Sequence, residues 1–365
     1  MAVAALHDVE KTDIQRSYSL YHQVNMFNVL TMAQILLTQR PELGGARPER
    51  YADIAATLRE GICTKFVNKA GVLSSMLAVY TTGRTKWIPF EDGDYWETAW
   101  ACSLGPFFPA LELQLRTARM IKTLWPGIRA YGYCPWNTLS RFLREFGMST
   151  TEYRAMLADE ITEASTTSVK YPLTGALTEY WRNVEGWRGL PFSTGSLLFS
   201  VAGQLLQSLP LGLAVRAGML VDSIDDFCYR TARINAVATG TGDAVATWTL
   251  NGEEMPWTLQ VPEQRLRTGR NLIEVTRGPA PQEPRLIGSS AALRTVTGTR
   301  DTITYALTSA VPSDLLFAGV APDALRCTDA TGAAVPLQCR LIEQNGVLLV
   351  HVSACGDFTV KLRRR

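Results

Sequence analysis

The spacing of apolar residues changes near residue 210, and that change constrains the fold more than any other feature of the chain. Upstream of it, apolar side chains recur every three or four residues, the helical period. In 14–39, Tyr18, Tyr21, Val24, Phe27, Val29, Met32, Ile35 and Leu36 fall largely on one side. Pro41, Gly44 and Gly45 then end the run. Residues 50–67 repeat the pattern, with Ile54, Leu58, Ile62 and Phe66 four apart. Related patterns from about 95, 107–124, 135–146, 150–163, 173–182 and 193–209 bring the predicted helices to eight, arranged as four hairpins. Downstream the signals are those of strands. Residues 235–250 are rich in Val, Ala and Thr, and Asn251-Gly252 follows them as a type I′ turn signal. Residues 271–276, 295–307, 338–343, 347–352 and 357–362 read as further strands, with Asn345-Gly346 as a second hairpin turn. The expected fold is a mainly α N-terminal domain over 1–212, then an all-β antiparallel sandwich over 213–365.

Composition excludes several classes. The chain has 365 residues, of which 46% are apolar and 19% charged, as in a soluble globular protein of two domains. A net charge of +2 argues against a nucleic-acid partner, and the basic end at 361–365 reads as a solvated tail. Residues 190–213 are apolar but are interrupted by serines and glutamines, so they predict a buried helix and no membrane span. The N-terminus has no basic region followed by an apolar run, so no signal peptide is expected. The seven cysteines are odd in number and widely spaced, which fits free thiols in a reducing, cytoplasmic setting, although Cys327 and Cys339 could pair across a hairpin. His7, His22 and His351 are the only histidines, which argues against a His-based metal site or a Ser-His-Asp triad. No cofactor is expected. The glycines of 240–243 lack a P-loop lysine and read as a turn.

The chemistry-bearing stretch is 87–100, WIPFEDGDYWETAW. It sets Glu91, Asp92, Asp94 and Glu97 among Trp87, Phe90, Tyr95, Trp96 and Trp100. Carboxylates resist burial, while aromatic faces stack on flat apolar surfaces such as the face of a sugar ring. Glycoside hydrolysis needs such a set: a proton donor, a base or nucleophile, and a pocket that grips rings. A solvated loop beside a core-facing aromatic stripe explains the same residues. Asp94 also suits a helix N-cap, and Asp92, before Gly93, suits a turn. Seven of the nine tryptophans lie between 87 and 187, which places the expected site in the upstream half.

The chain resembles the six-hairpin glycosidases, whose catalytic domain is an (α/α)6 toroid often joined to a β-sandwich. It is most similar to the α-L-rhamnosidase-type branch. Three places carry the resemblance: the helix pair 18–37 and 51–66; the step ETAW at 97–100 leading to LGPF at 104–107; and GALTEYW at 175–181 followed by PFSTG at 191–195. It covers about 14–215. The resemblance implies a partial toroid of helical hairpins and hydrolysis of a glycosidic bond in an oligosaccharide, with inversion. Glu179 would act as general base, with Asp94 as the second candidate catalytic carboxylate. Asp92, Glu97, Trp96, Trp100, Trp136, Glu185 and Trp187 would bind substrate. Glu185 is an alternative to Glu179, because the family's closing glutamate falls between the two. The family's Asn-His step is here Phe192-Ser193.

A full toroid has six hairpins, and four are read here. The resemblance places the general acid upstream of the first matched helix, near Asp8, Glu10 and Asp13 or before Met1. The expected remedy is a missing N-terminal segment, a homo-oligomer or a partner chain covering the open edge. Two other functions fit the residues. One is a polysaccharide lyase using Tyr95, Tyr131 or Tyr133. The other is a truncated, non-catalytic relative that only binds carbohydrate.

Overall fold

The structure is a computed structural model, and it describes residues 14–43, 47–74, 76–80, 82, 85–88, 110–123, 202–209, 211–218, 221–342 and 346–364. It separates into two compact units, one within Met1–Thr31 and Glu49–Leu197, the other within Met32–Pro48 and Leu198–Arg365.

In the first unit, β1 (Ile14–Ser19) precedes α1 (Leu20–Gln39), whose later turns fall in the second. α2 (Pro48–Lys65), β2 (Met76–Tyr80), β3 (Thr85–Ile88) and α3 (Leu111–Thr123) follow. On α1, Leu20, Val24, Phe27, Leu30 and Ile35 are buried at helical spacing. Val29, assigned to that face from sequence, is instead 59% exposed. α2 opens with Pro48, whose missing N–H costs nothing in a first turn. Its Glu49 and Lys65 complement the helix dipole at either end. β1, β2 and β3 form an antiparallel sheet in that order. The Leu73 N–H donates to Thr117 Oγ1 at 3.0 Å, and Arg116 Nη1 donates to the Gly71 carbonyl at 3.1 Å, which ties α3 to the turn before β2.

The second unit carries two β-sandwiches in succession. The first comprises β4 (Leu206–Leu209), β5 (Gly212–Val215), β6 (Ser223–Tyr229), β7 (Ala232–Gly240), β8 (Ala244–Leu250), β9 (Glu253–Glu254), β10 (Gln260–Pro262) and β11 (Gly269–Gly278). Its sheets, β10-β5-β4 and β6-β7-β11-β8-β9, face each other across a core that includes Leu206, Leu213, Ile234, Trp248, Val261 and Ile273. β7 shows the reason plainly. Its residues alternate strictly, with Ala232, Ile234, Ala236 and Ala238 inward and Arg233, Asn235, Val237 and Thr239 outward. Tyr229 Oη donates to the Leu209 carbonyl and accepts from the Gly212 N–H, clamping β4 and β5 where they meet.

The second sandwich comprises β12 (Arg285–Ser289), β13 (Ala292–Gly298), β14 (Thr302–Ser309), β15 (Ser313–Ala318), β16 (Leu325–Asp329), β17 (Ala334–Val335), β18 (Leu337–Ile342), β19 (Val347–Val352) and β20 (Gly356–Arg363). Sheets β12-β15-β19-β18 and β13-β14-β20-β16-β17 enclose Tyr305, Phe317, Leu348, Val350, Phe358 and Val360. The Tyr305 and Phe317 rings meet edge to face at 5.4 Å. Among the described residues the cysteines are free, and Cys327 on β16 and Cys339 on β18 belong to different sheets.

These findings correct the expected fold class. The described residues are β-rich, with three α-helices and twenty strands, which overturns the expected mainly α fold with a partial toroid. Residues 14–19 were expected to start the first helix. They instead pair with β2, where Ser17 and Ser19, poor helix formers, suit an extended segment. Residues 206–209 were expected to end the eighth helix. They form β4, because a four-residue segment flanked by leucines fits either the end of a buried helix or a strand, and only its neighbours decide. The downstream half is not wholly antiparallel either, since β7 and β11 run parallel, with Ala236 beside Ile273. Of the predicted helices, 50–67 and 107–124 correspond to α2 and α3. Those near 95 and at 135–146, 150–163 and 173–182 lie outside the described residues. No described helix is long and apolar enough to cross a membrane.

Candidate functional site

The stretch between β9 and β10 of the first sandwich builds a cleft against β13 of the second. After β8, Asn251 and Gly252 both have positive φ (53° and 81°), as a type I′ turn requires. The chain returns through β9 to Met255, Pro256 and Trp257. There it crosses to the second sandwich: the Leu286 N–H donates to the Trp257 carbonyl at 2.9 Å, and the Leu259 N–H donates to the Leu286 carbonyl at 2.9 Å. Tyr305 Oη, rising from the second core, also donates to the Trp257 carbonyl, at 3.0 Å. Three hydrogen bonds thus hold this stretch between two closed cores.

The cleft has a volume of about 410 Å³, within the roughly 300–1,000 Å³ usual for small-ligand pockets. One wall is 253–258 with Pro262, Gln264 and Arg265; the other is 294–297 of β13. Its apolar surface comes from Met255, Pro256, Trp257, Pro262 and Val296. The indole of Trp257 lies flat on Gly298, where a Cβ would fall 2.4 Å from its ring. The rim is charged, and both of its arginines are paired. Arg265 Nη2 lies 2.5 Å from Glu253 Oε1, and Arg294 Nη1 lies 2.9 Å from Asp357 Oδ2. Trp248 and Trp257 differ in one respect. The indole N–H of Trp248 donates to the Thr258 carbonyl at 2.8 Å, whereas that of Trp257 has no acceptor among the described residues.

A second polar group sits on β15 and β19, where His351 Nδ1 and Asp314 Oδ1 are 2.7 Å apart as a cross-strand pair. The Asp314 N–H donates to Ser290 Oγ at 2.8 Å, anchoring the strand to the turn before β13. Asp314 is 6% exposed, which suits a buried carboxylate held by its partner rather than one open to a substrate. Among the described residues no three His, Cys, Asp or Glu side chains converge as a metal site would require.

Of the residues expected from sequence, Asp92, Asp94, Trp96, Glu97, Trp100, Trp136, Glu179, Glu185 and Trp187 lie outside the described residues. Trp87 is a strand residue on β3, opposite Leu77. Sequence reasoning missed the cleft residues Trp257, Arg265 and Arg294. A signal was present: EEMPW at 253–257 joins two carboxylates to a tryptophan directly after an Asn-Gly turn, much as 91–96 joins acids to aromatics.

No protein-family model matches this chain, and no curated protein matches its sequence.

Proposed function

We propose that the protein acts on carbohydrate as a glycoside hydrolase-like protein, with an α-L-rhamnosidase-type glycoside as its leading substrate class. The observation that carries this reading is the cleft around Trp257 with its hydrogen-bonding rim, which suits the alternating apolar faces and hydroxyl edges of a sugar. The upstream acidic and aromatic stretch supports it, because it supplies the residue types that glycosidic cleavage requires. Within that reading Glu179 is the general base and Asp94 its catalytic companion, with Glu185 the alternative base. Asp92, Glu97, Trp96, Trp100, Trp136 and Trp187 contact substrate.

One observation favours a second, non-catalytic reading. Glu253 in the cleft is tied to Arg265, which leaves Glu254 as its one carboxylate without an ion pair among the described residues, and hydrolysis needs two working carboxylates. The cleft therefore suits holding a sugar rather than cleaving it. The test is turnover of an aryl-glycoside panel that includes an α-L-rhamnoside, by the full chain and by Asp94→Asn and Glu179→Gln. The expected result is turnover with inverted product that falls about 10²–10⁴-fold in each variant. Turnover unchanged in both variants would remove those two residues from the mechanism. Absence of turnover with sugar binding retained would leave the binding reading alone.

A further inference from the structure

We infer that the cleft between the two sandwiches is a non-catalytic binding site for a neutral saccharide of one or two rings, gripped by Trp257. The inference rests on the carbohydrate reading above and names the ligand class of its cleft. Four observations carry it.

The first is shape and surface. Met255, Pro256, Trp257 and Val296 present apolar surface inside a cleft of about 410 Å³, room for a small ring compound and too little for a folded partner. The second is the free indole N–H of Trp257. Trp257 is half-buried, and its N–H is open to solvent and so to a ligand. Trp248, nearby on β8, has an acceptor for its own N–H, and Trp257 has none among the described residues. A ligand hydroxyl or ring oxygen in the cleft would supply it.

The third is charge. The lining carries Glu253, Glu254, Arg265 and Arg294, two carboxylates against two guanidinium groups. Arg265 is engaged by Glu253 and Arg294 by Asp357. An anionic ligand would have to compete with these carboxylates, and Glu254, exposed and without an ion pair among the described residues, is left as a hydrogen-bond acceptor. A hydroxyl both donates and accepts, so a neutral polyol hydrogen-bonds to either member of such a pair without breaking it.

The fourth is preorganisation. The Trp257 backbone is fixed by Leu286 and Tyr305, and its ring rests on Gly298. Little conformational freedom is left to lose on binding, which is the commonest hidden cost of weak recognition.

The experiment is ¹⁹F NMR of the full chain labelled with fluorotryptophan, the Trp257 resonance being assigned by its absence from Trp257→Phe. The probes are methyl α-L-rhamnoside, cellobiose and maltose, with galacturonate as the anionic comparison. At about 10 mM, ten times a weak Kd of about 1 mM, at least one neutral probe should shift the Trp257 resonance. Trp257→Phe removes the N–H together with the ring atoms that rest on Gly298, so calorimetric affinity should fall at least about tenfold, the loss of one hydrogen bond and some stacking surface. Glu254→Ala, at an exposed position, should weaken binding without affecting folding. Turnover in the same sample with no shift at Trp257 would overturn this inference and leave the glycosidase reading standing. A shift without turnover would do the reverse. Tighter binding of galacturonate than of every neutral probe would overturn the assignment of ligand class.

Discussion

Gly298 cannot accept a side chain without displacing Trp257, because its Cβ would stand 2.4 Å from the indole. Gly298→Val is therefore expected to destabilise the protein by about 1–3 kcal/mol, the usual cost of overfilling a packed site. It should also turn the Trp257 ring. Urea denaturation measures the first effect and the Trp257 fluorine resonance the second; a wild-type midpoint with an unmoved resonance would show that the ring is not seated there. Asp329 gives a pH prediction. Its carboxylate accepts from Thr331 Oγ1 at 2.7 Å and from the Thr331 and Ala333 N–H groups at 2.9 and 3.0 Å. The Thr331 hydroxyl, then these amides, hold its pKa below the ordinary carboxylate value. A depressed folded-state pKa contributes stability that is present above the unfolded value, about 3.9, and is lost as pH falls through the folded value. Thermal melts between about pH 5 and pH 2 should therefore fall less steeply in Asp329→Asn than in wild type. Equal slopes would refute the role of that turn.

β7 and β8 are separated by three residues, a spacing that by itself predicts a hairpin, yet β11 lies between them in the sheet. The connection steps over the end of β11. A Cβ on Gly242 (φ +138°) would fall 2.7 Å from Gly278 backbone atoms, and one on Gly240 would fall 2.9 Å from the Arg277 carbonyl oxygen. Gly252 (φ +81°) stands in the type I′ turn with nothing within 4 Å of the same position. The two glycines thus predict different penalties. Gly252→Ala should cost about 1–2 kcal/mol, the price of a left-handed residue. Gly242→Ala should cost more, since backbone must also shift. Chemical denaturation of both variants checks the order, and an equal or reversed order would show that the crossing is looser than drawn. Arg277 secures the same corner, donating from Nε to the Ala217 carbonyl at 2.7 Å and pairing through Nη2 with Asp222 at 2.7 Å.

The two sandwiches have separate cores, so their stabilities should separate too. A fragment of residues 202–365 keeps every strand of both and should give a strand-type circular dichroism spectrum with little helix. Starting instead at 216 removes Leu205, Leu206, Leu213 and Val215, all buried in the first core. At about 1.5–3 kcal/mol each, their loss amounts to roughly the whole 5–15 kcal/mol stability of a domain. The shorter fragment should retain the ordered resonances of Tyr305 and Phe317 while losing those of Ile234 and Trp248. If both cores persist, β4 and β5 are dispensable and the first sandwich is drawn too large.

Some of this could be read from residues alone, and the reason is locality. The Asn251-Gly252 turn follows from two adjacent residues that tolerate positive φ. β19 is found where its apolar run predicts it, at Val347–Val352, and α2 begins at a proline and ends at a basic residue. Strand partners are a different kind of property. Residues 14–19 carry two serines as a weak local mark against a helical turn, and pairing with Met76–Tyr80, far along the chain, settles it. Likewise 206–209, with a leucine at each end, fits either state until β5 lies beside it. The cleft belongs to the same class. Trp257 and Gly298 are 41 positions apart, and only the packing of the β9–β10 connection against β13 of the second sandwich brings an indole onto that glycine. Periodicity reports how a segment meets its surroundings; it carries no information about which surroundings those are.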